Sequence, residues 1–134
     1  MTDKEKRFMS VAKSVSKTSN HKRIKIGAVV ANRKQIISVG ANEQKTHPLQ
    51  KQYNAYVPYG HDDSLKHCKH AEISCIINAK HDLHDCTMYI YREDKNGNLS
   101  MCRPCNACYN MIRDAGITNI VYTIPNGYAR EKIT

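Results

Sequence analysis

His70-Ala71-Glu72-Ile73-Ser74-Cys75-Ile76-Ile77 is the stretch from which the rest of the chain can be placed. Ile73, Ile76 and Ile77 fall at i, i+3, i+4, so the spacing predicts a helix that begins near Lys69 and buries one stripe. His70 and Glu72 would diverge by about 200° on a regular helix. Both can serve one site only if they lie at the helix's beginning. Pro104-Cys105-Asn106-Ala107-Cys108 makes a second such arrangement. Pro104 is expected at the first helical position, where its missing N–H costs nothing. Cys105 and Cys108 then share a face in the first turn, where unpaired N–H groups and the helix dipole favour thiolates. Two helix N-termini are expected to converge on one point.

One imidazole and two thiolates make three ligands of a tetrahedral zinc and leave a fourth position for water, as hydrolytic zinc centres require. Glu72 has no place as a fourth ligand if it carries protons, and that is the role expected of it. Two other readings compete. A purely structural zinc knuckle would need a fourth protein ligand and gives Glu72 nothing to do. An iron–sulfur run through Cys102, Cys105 and Cys108 lacks its fourth cysteine, because Ile112 stands in that place.

Working outward, Phe8, Val11, Ala12 and Val15 recur at helical spacing and predict an amphipathic first helix. Ile24–Ala31 and Gln35–Gly40 are β-rich runs joined by Asn32-Arg33-Lys34, an antiparallel hairpin. Residues 42–68 hold Pro48, Pro58, Gly60, Tyr53, Tyr56 and Tyr59 and are expected to be irregular, either a wall or lid of the site or a surface excursion. Thr87–Tyr91 is a strand, and Asp94–Asn98 a turn. The second-motif helix continues through Met111, Ile112 and Ala115, and Gly116 stops it. Asn119–Ile124 is a further strand, and Asn126-Gly127 predicts an antiparallel return over Tyr128–Ile133. The sum is an α/β domain of three layers, with helices on both faces of a mixed sheet of about five strands.

The chain has 134 residues, expected to form a single domain, 1–134. Its 21 Lys and Arg against 12 Asp and Glu give a formal net charge of +9 at pH 7, which favours a phosphate-bearing partner, a nucleotide or a nucleic acid. No apolar run approaches the roughly 20 residues of a membrane helix, and Met1-Thr2-Asp3-Lys4-Glu5-Lys6 lacks a signal segment. A cytoplasmic location follows as the expectation. Cys68, Cys75, Cys86 and Cys102 are then reduced thiols rather than bridges.

In these motifs the chain resembles the cytidine deaminase superfamily, whose signature is H-x-E followed by P-C-x-x-C. The resemblance takes in the hairpin, Gly40-Ala41-Asn42, both motifs and Ala115-Gly116-Ile117 through Tyr122. His70 as first ligand looks like the deoxycytidylate and tRNA adenosine deaminase branches, and Thr46-His47-Pro48-Leu49-Gln50 looks like small phage and bacterial deaminases. The resemblance implies a cytidine deaminase-like fold and a Zn2+ held by His70, Cys105 and Cys108. It implies zinc-hydroxide attack on C4 of a cytosine nucleotide, dCMP to dUMP plus ammonia, with Glu72 as proton shuttle. Asn42 matches a residue that contacts sugar and base, and Ala71 one whose backbone lines the base pocket. Tyr53, Lys45, Lys51 and Arg103 are further candidates, the basic ones for the phosphate. His61, His67 and Cys68 fit either a second, structural zinc or ordinary loop residues. A homo-oligomer is expected. Ser74-Cys75 and the Asn-Gly ending depart from the nearest branches. A deaminase of tRNA adenosine or single-stranded DNA cytosine, and a zinc-stabilised binding module without catalysis, remain as alternatives.

Overall fold

The computed structural model describes residues 1–45, 47–53 and 69–133. Its elements run α1 (Asp3–Ser16), β1 (Ile26–Ala31), β2 (Ile36–Ala41), α2 (Pro48–Tyr53), α3 (Ala71–Asn78), β3 (Thr87–Arg92), α4 (Asn106–Asp114), β4 (Asn119–Ile124) and β5 (Gly127–Lys132). The five strands lie in the order β2-β1-β3-β4-β5. β3 and β4 are parallel and every other neighbouring pair is antiparallel. A parallel pair needs a crossover, and α4 supplies it.

The central strands are apolar along their length because both faces are covered. From β1 and β3, Val29, Ala31, Tyr89 and Tyr91 pack with Phe8, Met9 and Ala12 of α1. Ala28, Val30, Met88 and Ile90 face the other way, towards Ala71 and Cys75 of α3 and Ile112 of α4. The three-layer expectation is thus met. Helix α1 opens with a full capping box between Thr2 and Glu5. Its buried stripe is Phe8, Met9, Ala12 and Ser16, turned slightly from the predicted one, so that Val11 and Val15 lie half-buried at its edge.

Three local expectations are corrected. The segment after Asn42 is not wholly irregular, since it contains α2. His47 Nδ1 accepts the Leu49 N–H at 3.0 Å, the His47 carbonyl accepts from Lys51 N at 3.0 Å, and Pro48 opens the helix. Here a proline starts an element instead of breaking one. Pro104, by contrast, lies outside α4, whose N-cap is Cys105 in extended conformation (φ −68, ψ 170). The last hairpin turns on Pro125-Asn126, because Ile124 pairs with Gly127. Asn126 takes the left-handed φ of 67 that the third position of a type II turn requires.

Tyr56, Tyr59, His61, His67 and Cys68 lie outside the described residues, and with them the suggested second zinc. Cys75, Cys86 and Cys102 are free and buried. Among the described residues no helix is long and apolar enough to cross a membrane.

Candidate active site

The site forms where α3 and α4 begin. His70 is the N-cap of α3, extended at φ −72 and ψ 154, and its side chain makes no capping bond to its own helix. Cys105 occupies the same position on α4, again without a side-chain cap bond. Both helices therefore forgo the usual N-cap bond, and the two side chains turn towards one another. His70 Nδ1 lies 3.1 Å from Cys108 Sγ and 3.6 Å from Cys105 Sγ. The three donor atoms all lie within 4.8 Å of one another. Being the N-cap resolves the directional conflict between His70 and Glu72, since an extended residue is not bound to the helical rotation.

The donor set suits zinc on chemical grounds. One borderline nitrogen and two soft sulfurs, at the starts of two helices, are a tetrahedral N/S set with one vertex to spare. The sulfurs are prepared for it. The Cys105 thiol is held down at about 4, mainly by the hydrogen bond with Cys108 and with help from His70, whereas burial pushes the Cys108 thiol up. The lowered Cys105 thiol favours a thiolate at that position. Cys102 stands apart from this cluster. Its Sγ is 3.3 Å from the Ile90 carbonyl and 3.0 Å from Thr123 Oγ1, and burial pushes its thiol up to about 12. It is a core thiol, and the C-x2-C-x2-C pattern has no spatial counterpart.

Glu72 is buried in the first turn of α3. Burial raises its carboxyl above the ordinary range, partly offset by His70 and by the hydrogen bond with Cys108. Ala71, between them, is fully buried.

The remaining candidates are placed less uniformly. Asn42 is buried, and its carboxamide joins the ends of the first hairpin: Oδ1 accepts from Ile26 N at 2.9 Å and Nδ2 donates to the Ile24 carbonyl at 2.7 Å. One amide hydrogen and one lone pair are not used by these two bonds. Lys45 is exposed, and its carbonyl accepts from Lys69 N at 3.0 Å, beside the isolated β-bridge of Glu43 with Lys69 that leads into His70. Lys51 is exposed on α2. Tyr53 donates to Asp114 Oδ2 at 2.7 Å, tying α2 to the end of α4. Arg103 is paired with Glu131, Nε to Oε2 at 2.7 Å and Nη2 to Oε1 at 3.2 Å, and lies over the Tyr109 ring at 5.6 Å. Sequence reasoning missed Gln50, fully buried on α2 with Oε1 accepting from His70 N at 3.0 Å. The signal was the short helix opened by His47-Pro48.

With this geometry in hand, the likenesses to known proteins are consistent with one another. Residues 2–124 match the model of the cytidine and deoxycytidylate deaminase zinc-binding region. The deoxycytidylate deaminase of Mycobacterium phage D29 is 27% identical over 130 residues, 90% of this chain and 94% of that protein. The dCMP deaminase of cyanophage S-TIM5 superposes with a TM-score of 0.63 at 22% identity, over 91% of this chain and 84% of its own. It has also been solved in complex with dCMP and dUMP. The cytidine deaminase of Burkholderia pseudomallei shares the fold at a TM-score of 0.67 and 15% identity, over 99% and 94% of the two chains. A family match over nearly the whole chain, on a fold that gathers an N/S donor set beside a buried carboxyl, places this chain in the cytidine and deoxycytidylate deaminase zinc-binding family.

Proposed function

We propose that this chain hydrolyses the exocyclic amine of a cytosine mononucleotide, dCMP to dUMP and ammonia, with His70, Cys105 and Cys108 as zinc ligands and Glu72 as proton carrier. The observation that carries the reading is the buried Glu72 carboxyl beside a three-donor cluster formed by two helix N-caps, His70 and Cys105, and Cys108 in the first turn of α4. A site that only stabilised the fold would have no use for that carboxyl.

Zinc bound there supplies a Lewis acid and brings the pKa of its water towards about 7. The protein's part is proton traffic and placement. Glu72 would take one proton of the attacking water and deliver it to N3 as the oxygen bonds to C4. It would then take the remaining proton of the new C4 hydroxyl and pass it to the amine, which leaves as ammonia as the C4–N bond breaks and the C4 carbonyl forms. Its raised carboxyl pKa suits a group that must both accept and release a proton. Ala71, buried between His70 and Glu72, is proposed to line the base pocket, and Asn42, with one amide hydrogen and one lone pair not used by its bonds to Ile24 and Ile26, to meet the sugar and base. Tyr53, on α2 and packed near Cys108, is proposed as a side wall.

The phosphate is supported by three things. The formal net charge is +9, the phage D29 relative is a deoxycytidylate deaminase, and the cyanophage fold neighbour binds dCMP and dUMP. Lys45 and Arg103 are the cations proposed to meet it; Arg103 would have to leave Glu131 to do so. The test is ammonia release by zinc-loaded protein offered dCMP, deoxycytidine, CMP and a tRNA anticodon stem-loop in parallel. Preference for dCMP is expected. Activity on the RNA alone would overturn the nucleotide reading.

A further inference from the structure

We propose that Gln50 is a positioning residue for His70: its buried carboxamide oxygen fixes the peptide from which the imidazole projects and so sets Nδ1 among the sulfurs. The proposal rests on the reading of His70 as a zinc ligand. Helix α3 starts with neither of the two usual capping devices. Its N-cap side chain makes no cap bond, because the imidazole is directed at Cys108 and Cys105. Its third helical residue is Ile73, fully buried in the core, where a capping box would need Glu or Gln to reach back to the N-cap N–H. A half-buried His70 N–H left without a partner would destabilise the start of the helix.

Gln50 supplies the missing acceptor from another helix, Oε1 to His70 N at 3.0 Å. The donor is a backbone N–H, so the oxygen and not the amide nitrogen must face it. The side chain is fully buried, and its helix is held on both flanks. Leu49 and Tyr53 pack against Ile73, Cys108 and Met111, and Tyr53 bonds Asp114 at the far end of α4. Just upstream, Lys69 is held by backbone bonds to Glu43 and Lys45. The ligand's own peptide is therefore fixed from its N–H side by Gln50 and from the preceding residue by an isolated β-bridge to Glu43. A shift of the N–H would swing the imidazole off the sulfurs, so the bond acts on ligand geometry through the main chain as outer-sphere partners do through the ring.

The test compares Gln50→Leu, which keeps most of the volume and removes the acceptor, with Gln50→Glu, whose carboxyl oxygen can accept the same N–H. Folding is verified by circular dichroism, zinc affinity is measured by competition with a chromophoric chelator, and absorption bands are recorded after cobalt(II) substitution. Gln50→Leu is expected to lose about 10–100-fold in metal affinity and to show altered cobalt bands, and Gln50→Glu to restore both. A Gln50→Leu protein with wild-type affinity and bands, and only a lower melting temperature, would reduce Gln50 to packing and overturn the proposal. Should Gln50→Leu not fold, amide exchange of His70 in the zinc-loaded wild type decides. Protection equal to the α3 interior supports the bond, and loop-like exchange overturns it. A wild-type protein that takes up neither zinc nor cobalt would sink the ligand reading and this proposal together.

Discussion

A Cβ placed on Gly40 would lie 2.3 Å from the backbone nitrogen of Cys75. Strand β2 and helix α3 thus touch main chain to main chain, one turn below the candidate ligand His70. Ser38, on the same strand, donates its hydroxyl to the Cys75 carbonyl at 2.6 Å. Neither backbone can step aside as a flexible side chain could. Gly40→Ala is expected to cost the upper end of the ~1–3 kcal/mol of overpacking and to lower zinc content. Melting temperature and metal analysis on the same sample check both.

Glu72→Gln keeps the shape and removes the proton carrier. Turnover is expected to fall by about 10^2–10^4-fold while bound zinc and melting temperature stay near wild type. Activity close to wild type would dismiss Glu72 from the chemistry. Loss of folding would return weight to a structural site.

Lys45→Ala and Arg103→Ala separate phosphate from base recognition. The residue that meets the phosphate should raise KM for dCMP about tenfold, the value of one charged hydrogen bond, and leave deoxycytidine unaffected. Arg103→Ala also removes the ion pair with Glu131 and its contact with Tyr109. Its effect on stability is therefore read separately, by thermal melting.

His21 makes stability pH-dependent. Its Nδ1 accepts from Arg23 N at 3.2 Å and Ile24 N at 3.0 Å, a role open only to an unprotonated nitrogen. Burial, then the charges of Arg23 and Lys25, hold its pKa below the ordinary imidazole value. Because the folded value is the lower one, this contribution is complete above the unfolded pKa of about 6.5 and is lost as pH falls from there through the folded pKa. Denaturant midpoints should decline across that window in wild type and less in His21→Asn, whose Oδ1 can accept the same N–H groups. His84, raised by Asp82, has the opposite sign but is exposed and unchanged in both proteins. An identical decline in both would remove His21 as the cause.

Chelation should lower the melting temperature and make it depend on zinc concentration. At free zinc a thousandfold above its dissociation constant, the stabilisation is about 4 kcal/mol. A melting temperature indifferent to chelator would mean that the described fold stands without the ion.

Most of the fold was legible because its signals are local. The apolar runs of β1 and β3, the isoleucine spacing of α3 and the stop at Gly116, left-handed at φ 88, each depend on neighbours in sequence. The convergence of His70 with Cys105 and Cys108 was legible too, since two residues apart on a helix can share a site only at its start. What escaped depends on contacts across the chain. Proline is ambiguous between starter and breaker until the bond from the Leu49 N–H to His47 is seen, so α2 was hidden, and Gln50 with it. Arg103 reads as a free cation until Glu131 arrives from β5, 28 positions away.

Because α3 and α4 each begin at a donor residue, the spacing between donors is also the spacing between two helices. Sliding of one outer helix against the other, caused by a substitution under Met111 or Ile112, would carry the donors with it. The outer layer works as a caliper closed on the reaction centre. Packing changes far from the substrate should therefore register first as altered reactivity and only later as a lower melting temperature.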